Sequence, residues 1–273
     1  MVPITFPVLK LAVKNYYKIG GNQRAAAFAY YAFFSLFPLL GLMVASASFL
    51  VQPDHAAHVV LGFIRHYVPL NDKINEDVSG ILNGMINARG KVLVIAPLVF
   101  MLAAFHFFNV LIRAVNEAWG VEATSWWHLP AKSLLLLGIT GVTLLLGIAL
   151  PILGRLLKHW LFFTYDFGPW VYYAAIYFIP AVVLFLGLSA LYRLAPLRVT
   201  HFSEVWAATA IVTGSLFAIE GLFVLCVKTF TNSNIIYGAF GGMVALLTAI
   251  YIAGCTTILG VCLSAAQSTK AHH

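Results

Sequence analysis

The stretch Ala208–Cys226, ATAIVTGSLFAIEGLFVLC, decides how the rest of the chain is read. It is apolar enough to cross a bilayer, for which about 20 residues suffice, yet it holds one carboxylate, Glu220. Placing such a charge near mid-membrane costs roughly 2.5–3.5 kcal/mol on insertion scales. The group therefore faces other helices or water, and an intramembrane acid is a functional-site candidate. Thr209, Thr213, Phe217 and Glu220 lie near one line of the helix, so the carboxylate has hydroxyls on its own face. The competing reading is a protonated glutamate that only holds neighbouring helices together.

Composition agrees. Of 273 residues, 62% are hydrophobic and 9% charged, and mean hydropathy is +0.92. A soluble domain carries about 25% charged residues. This chain could not cover a water-facing surface, and the fold class is an all-α, polytopic membrane protein. The formal charge of +7 resides in short segments between apolar spans, which fits orientation by the positive-inside rule. No zinc-finger spacing, RNA-recognition motif or basic arm suggests a nucleic-acid partner. Cys226, Cys255 and Cys262 sit in apolar runs without a CxxC and read as small buried hydrophobes. No cleaved signal peptide is expected, and His272 and His273 read as an expression remnant.

Six spans are expected, at about 25–51, 92–112, 133–157, 170–192, 205–227 and 238–265, forming one membrane domain over 25–265. Pro38, Pro97, Pro151 and Pro180 should bend their helices. Before the first span, residues 1–24 form a basic segment. There Lys10, Lys14 and Lys18 recur at four-residue spacing beside Leu9, Ala12, Val13 and Tyr16, as in an interfacial amphipathic helix or a plain basic flank. Residues 52–91 are charged and punctuated by Pro53, Pro69 and Gly90. The stripe Ile74, Val78, Ile81, Leu82 and Met85 helps mark an amphipathic helical hairpin between spans 1 and 2, on the outer face. Residues 266–273 are a short tail. Gly238 and Gly242 form a GxxxG continued by Ala245, Ala249 and Ala253, a helix-packing ridge against a neighbour or a symmetry mate, so a homo-oligomer is one arrangement it would serve. The N-terminal lysines put both termini in the cytoplasm.

Several motifs resemble the YihY/BrkB family of bacterial inner-membrane proteins. RAAAFAYYAFFSLFPLL (24–40) looks like its first-span signature, and AVNEAWGVE (114–122) is similar to its AlNxxWgv pattern. LYRLAPLRVT (191–200) resembles its LYRLxPxRxV turn, FAIEGLF (217–223) its glutamate-containing fifth span, and YGAFGG (237–242) its YGxxG entry to the last span. The resemblance implies a six-helix inner-membrane protein with a small external helical segment. It also brings a ribonuclease label regarded as misassigned, and associations of some members with serum resistance or envelope lipids. In one departure, ILGVCLSAA (258–266) puts Cys262 where the family pattern LLGAE has a second glutamate, leaving Glu220 alone.

The expected polar sites are therefore two. Glu220 with Thr209 and Thr213 would form an intramembrane centre. Arg24, Tyr31 and Ser35, with Arg113, Asn116 and Glu117, would line the inner mouth of a cavity or simply anchor helix ends. No nucleophile elbow, phosphate loop or HExxH occurs, and His55 and His58 beside Asp54 lack a fourth ligand, so neither enzyme activity, metal nor cofactor is expected. The leading expectation is a transporter or translocator of an amphipathic, lipid-like envelope component, with the bilayer as its environment. The alternative is a non-transporting scaffold or partner-binding protein of the envelope.

Overall fold

The computed structural model describes residues 5–50, 80, 84, 88–121, 131–143, 146, 169–231 and 235–271. All regular structure there is helical: α1 (Phe6–Lys18), α2 (Gly21–Leu50), α3 (Arg89–Ala118), α4 (Ala131–Thr143), α5 (Pro169–Leu194), α6 (Phe202–Thr231) and α7 (Ile235–Ala271). Among the described residues, four helices are long and apolar enough to cross a membrane, over Gly21–Leu42, Gly90–Ala118, Phe202–Val227 and Gly241–Thr269. The expected spans 3 and 4 are represented by shorter apolar helices, Ala131–Thr143 and Phe178–Leu194. The hairpin expected at 52–91 lies outside the described residues apart from 80, 84 and 88–91, as does Pro151. Pro38, Pro97 and Pro180 lie inside α2, α3 and α5, which run through them as continuous elements.

The long helices begin earlier or end later than hydropathy alone predicts. At about 1.5 Å per residue, the 30 residues of α3 reach about 45 Å, beyond a ~30 Å hydrocarbon core. The polar ends stay helical because they are closed locally. At the end of α3, Val121 N–H donates to the Asn116 carbonyl and Gly120 N–H to the Glu117 carbonyl. This is a Schellman closure, with Gly120 at φ +65°. Gly20, also at φ +65°, closes α1 in a similar way.

The chain forms two compact units. Unit 1 comprises residues 1–21, 111–215 and 256–273, and unit 2 residues 22–110 and 216–255. In unit 2, α2 meets α7 at Gly254, where an added Cβ would stand 2.8 Å from the Phe28 ring and 3.3 Å from the Ala25 carbonyl oxygen. The Phe28 and Phe107 rings pack at 4.3 Å, and Tyr31 stacks on His106 at 5.1 Å.

In unit 1, Leu111, Ile112 and Val115 of α3 are buried, as are Leu136, Tyr192, Val205, Val212, Ile258 and Val261 from α4 to α7. The Tyr192 hydroxyl donates to the Thr257 carbonyl at 2.7 Å. A Cβ on Gly260 would stand 2.6 Å from that hydroxyl and nearer still to Val212, so α7 approaches α5 and α6 only because residue 260 has no side chain. Helix α1 turns Val8, Ala12 and Tyr16 inward and leaves Phe6, Leu9, Val13 and Tyr17 exposed. The face expected to join Leu9, Ala12, Val13 and Tyr16 is thus divided. The helix packs with one apolar edge and carries a second, outward one beside exposed Lys10, Lys14 and Lys18.

The turn between α5 and α6 is locked from four sides. Lys132 Nζ donates to the carbonyls of Leu194 and Pro196, at 3.2 and 2.5 Å. Asn116, 1% exposed, accepts from Leu197 N–H at 2.7 Å and donates to the Ile112 carbonyl at 2.8 Å. Arg198 lies 4.2 Å above the Trp119 ring, and its Nη2 donates to Glu204 at 2.9 Å and to Ser268 at 3.3 Å. Ser268 donates to the same Glu204 oxygen at 2.7 Å. The other Glu204 oxygen reaches back to His201 N–H at 2.9 Å, the glutamate half of a capping box at the start of α6.

Two stability predictions follow from these contacts. Gly260→Ala should lower stability by about 1–3 kcal/mol through overpacking. Gly120→Ala, whose Cβ would meet nothing within 4 Å, should cost about 1–2 kcal/mol through its left-handed backbone alone. Thermal denaturation of the detergent-solubilised protein reads both. In a double-mutant cycle, Arg198→Gln and Glu204→Gln should couple by about 1 kcal/mol, near the top of the range for partly exposed pairs. Strict additivity would show that the network is not cooperative.

Candidate functional site

Glu220 is exposed on α6, in unit 2. Thr209 and Thr213 are buried, in unit 1. The three residues do share a helix face, but at about 1.5 Å per residue Glu220 lies about 10 Å along the axis from Thr213. Thr209 spends its hydroxyl on the Val205 carbonyl at 2.8 Å. The Thr213 oxygen is buried with no hydrogen-bond partner among the described residues. The structure thus packs the two threonines and leaves the carboxylate at the described surface. Helical periodicity gives the angle of a side chain and not which neighbour covers that stretch of the helix.

The inner-mouth residues divide similarly. In unit 2, Arg24 and Tyr31 are half-buried, Tyr31 stacks on His106, and the Ser35 hydroxyl returns to the Ala32 carbonyl at 2.7 Å. In unit 1, Arg113 and Glu117 are exposed, whereas Asn116 is committed to the α5–α6 turn. Gly242 has open space around its Cβ position among the described residues, and the side-chain surroundings of Gly238 lie outside them. Among the described residues, close helix approaches occur at Gly187, Gly254 and Gly260. Among the described residues no three His, Cys, Asp or Glu side chains converge as a metal site would require.

A different feature emerges in unit 1, between α4 and α5. A cavity of about 490 Å³ is lined by Ala131, Lys132 and Leu135, by Arg193 and Leu194 at the end of α5, and by Pro196, Arg198, Val199 and Thr200 of the locked turn. A second cavity, of about 540 Å³, is lined by Leu135, Gly138, Ile139, Val142, Thr143 and Leu146 on one side and Val183, Leu186, Gly187 and Ala190 on the other. Leu135 lines both. Rising residue numbers on α4 and falling numbers on α5 lead in the same direction, away from the cations. From Leu135 to Leu146 the groove extends about 16 Å. Thr143, the one polar side chain among its described lining residues, bonds back to the Ile139 carbonyl at 2.8 Å. The helices approach closely at Gly187, where a Cβ would stand 2.7 Å from the Thr143 hydroxyl.

The result is a groove with a basic head and an apolar tail. The sequence marks Arg193 and Arg198 as a basic turn, but Lys132 reaches them across more than 60 residues of chain, and no local pattern signals that meeting. Unit 2 has a separate groove of about 580 Å³, lined by Ala26, Ala29, Tyr30, Phe33, Phe34, Leu247, Thr248 and Tyr251, none of them charged.

Comparison with known proteins bears on the whole chain. A ribonuclease-like protein of Bacillus subtilis (strain 168), YfkH, is 28% identical over 92% of this chain and 92% of its own length. A UPF0761 membrane protein of Psychrobacter sp. (strain PRwf-1) is 23% identical over 94% of this chain. The match spans 47% of that longer relative. No solved structure matches. The family profile described as Virulence factor BrkB matches residues 12–273. With the apolar helices described above, that match identifies the chain as a membrane protein belonging to the BrkB family.

Proposed function

We propose that this is a six-span integral protein of the bacterial inner membrane that moves an amphipathic, lipid-like envelope component, with both termini in the cytoplasm. The observation that carries the reading is the groove between α4 and α5, cationic at one end and apolar along the rest. A ligand that fits such a groove has a polar head and a hydrocarbon tail. In this reading α4 and α5 belong to the third and fourth spans, and unit 1 carries the cytoplasmic charges Lys10, Lys14, Lys18, Lys132, Arg193 and Arg198 expected from the positive-inside rule. Helix α1 would lie in the interface, its outward stripe of Phe6, Leu9, Val13 and Tyr17 among acyl chains and its lysines among headgroups.

The role is non-enzymatic. A ribonuclease would need catalytic polar groups along an aqueous, basic surface. In unit 1, Lys132, Asn116, Arg198, Glu204 and Ser268 are instead engaged in holding helix ends together. Glu220 is retained in the proposal as a polar group within a span, available for a proton or headgroup contact. Purified full-length protein in liposomes should accelerate transbilayer movement of a fluorescent phospholipid several-fold over protein-free vesicles. Val142→Trp, which narrows the groove from an exposed position, should abolish most of that gain, and Glu220→Gln should reduce it with folding intact. Movement no faster than in empty vesicles would favour the scaffold reading, and movement unchanged by Glu220→Gln would remove that residue from the mechanism.

A further inference from the structure

We propose that the basic end of the α4–α5 groove selects the phosphate of an anionic glycerophospholipid, such as phosphatidylglycerol, while an acyl chain occupies the apolar tail. This rests on the preceding reading of the groove as an amphiphile site and adds the charge class of the headgroup. Three cations, Lys132, Arg193 and Arg198, line the head end, and among the described lining residues no carboxylate does. Glu204, outside the lining, offsets the charge of Arg198. The charges of Lys132 and Arg193 are left uncompensated by any carboxylate among the lining residues.

The donors remaining on these cations suit a phosphate. An ammonium has three donors, and Lys132 gives two to the carbonyls of Leu194 and Pro196. A guanidinium has five, and the bonds from Arg198 to Glu204 and Ser268 both leave from Nη2. Trp119 and Glu204 hold that guanidinium in place, so little ordering is left to pay on binding. Arg193 is exposed at the rim with no ion-pair partner among the described residues. Leu135, which lines both cavities, provides apolar surface between the head and the tail, and Val199, 84% exposed, adds apolar surface at the head end.

The same features argue against other ligands. A soluble anion gains nothing from the apolar channel that opens past Leu135. A nucleic acid needs a long basic track along its backbone, not one compact cluster. A zwitterionic lipid brings its own ammonium toward these cations and loses most of their attraction.

The test uses purified full-length protein in detergent and native mass spectrometry, with phosphatidylglycerol and phosphatidylcholine of identical acyl chains as probes. Phosphatidylglycerol should bind about tenfold more tightly, and Arg193→Gln should weaken it about fivefold, the loss expected for one interfacial cation. Arg193→Lys should retain most of the preference. Lys91→Gln, at an exposed position near the start of α3, removes the same charge and should leave it unchanged. Val142→Trp should weaken both lipids, and millimolar inorganic phosphate should not displace bound lipid.

Equal affinity for the two lipids would overturn the proposal. So would equal losses from the Lys91 and Arg193 variants, which would mean diffuse surface charge. Displacement by inorganic phosphate, together with indifference to Val142→Trp, would mean a soluble-anion site and would also overturn it. Headgroup selection without lipid movement in liposomes would leave this assignment standing and remove the transport reading. Lipid movement blocked by Val142→Trp, without headgroup selection, would do the reverse.

Discussion

A single guanidinium, that of Arg198, ties together the ends of three helices and the turn between α5 and α6. It stacks on Trp119 from the end of α3, pairs with Glu204 in the first turn of α6, and bonds to Ser268 near the end of α7. Arginine suits this position because its planar, always-charged fork can stack and hydrogen-bond at once, which a lysine ammonium cannot do. The pair is partly exposed, so its Coulombic contribution is modest. Its weight lies in geometry. Glu204 is also the cap of α6, and the turn that carries Arg198 is held by Asn116 and Lys132. Loss of one member leaves several backbone and side-chain groups to find other partners.

That lock sets the chemistry of the groove beside it. Lys132 and Arg198 stand at the head end because each is fixed to the turn by bonds made for folding. The apolar tail exists because α4 and α5 come close at Gly187 and Thr143 yet leave Val142, Leu146 and Leu186 uncovered among the described residues. Structure and recognition therefore draw on the same side chains. Arg193, which only recognition would use, is the cleanest place to separate them.

The membrane class of the chain is legible from hydropathy alone, because a chain with 9% charged residues has no other way to satisfy its surface. The long helices α2, α3, α6 and α7 follow for the same reason. The motifs AVNEAWGVE and LYRLAPLRVT are visible as family-like text, but their meaning is tertiary. Asn116 and Trp119 in one, and Leu197 and Arg198 in the other, meet across about 80 residues. Asn116 reads in sequence as a mouth-lining polar group and in space is 1% exposed and spent on a turn. Glu220 shows the converse limit. Its cost in hydrocarbon can be read from one residue, but its surroundings depend on which elements cover the distal half of α6. The groove was hidden most completely, because Lys132 and Arg193 come from different helices and no sequence spacing relates them.

In the proposed arrangement, the cleft between α4 and α5 holds an anionic lipid with its head at the locked turn. An electron cryomicroscopy structure in nanodiscs containing phosphatidylglycerol tests it directly. Density for a phosphate is expected within hydrogen-bonding distance of Arg193 and Lys132, continued by acyl-chain density past Leu135 toward Leu146. A groove closed by protein side chains, or lipid density only around the outer circumference of the helices, would contradict it.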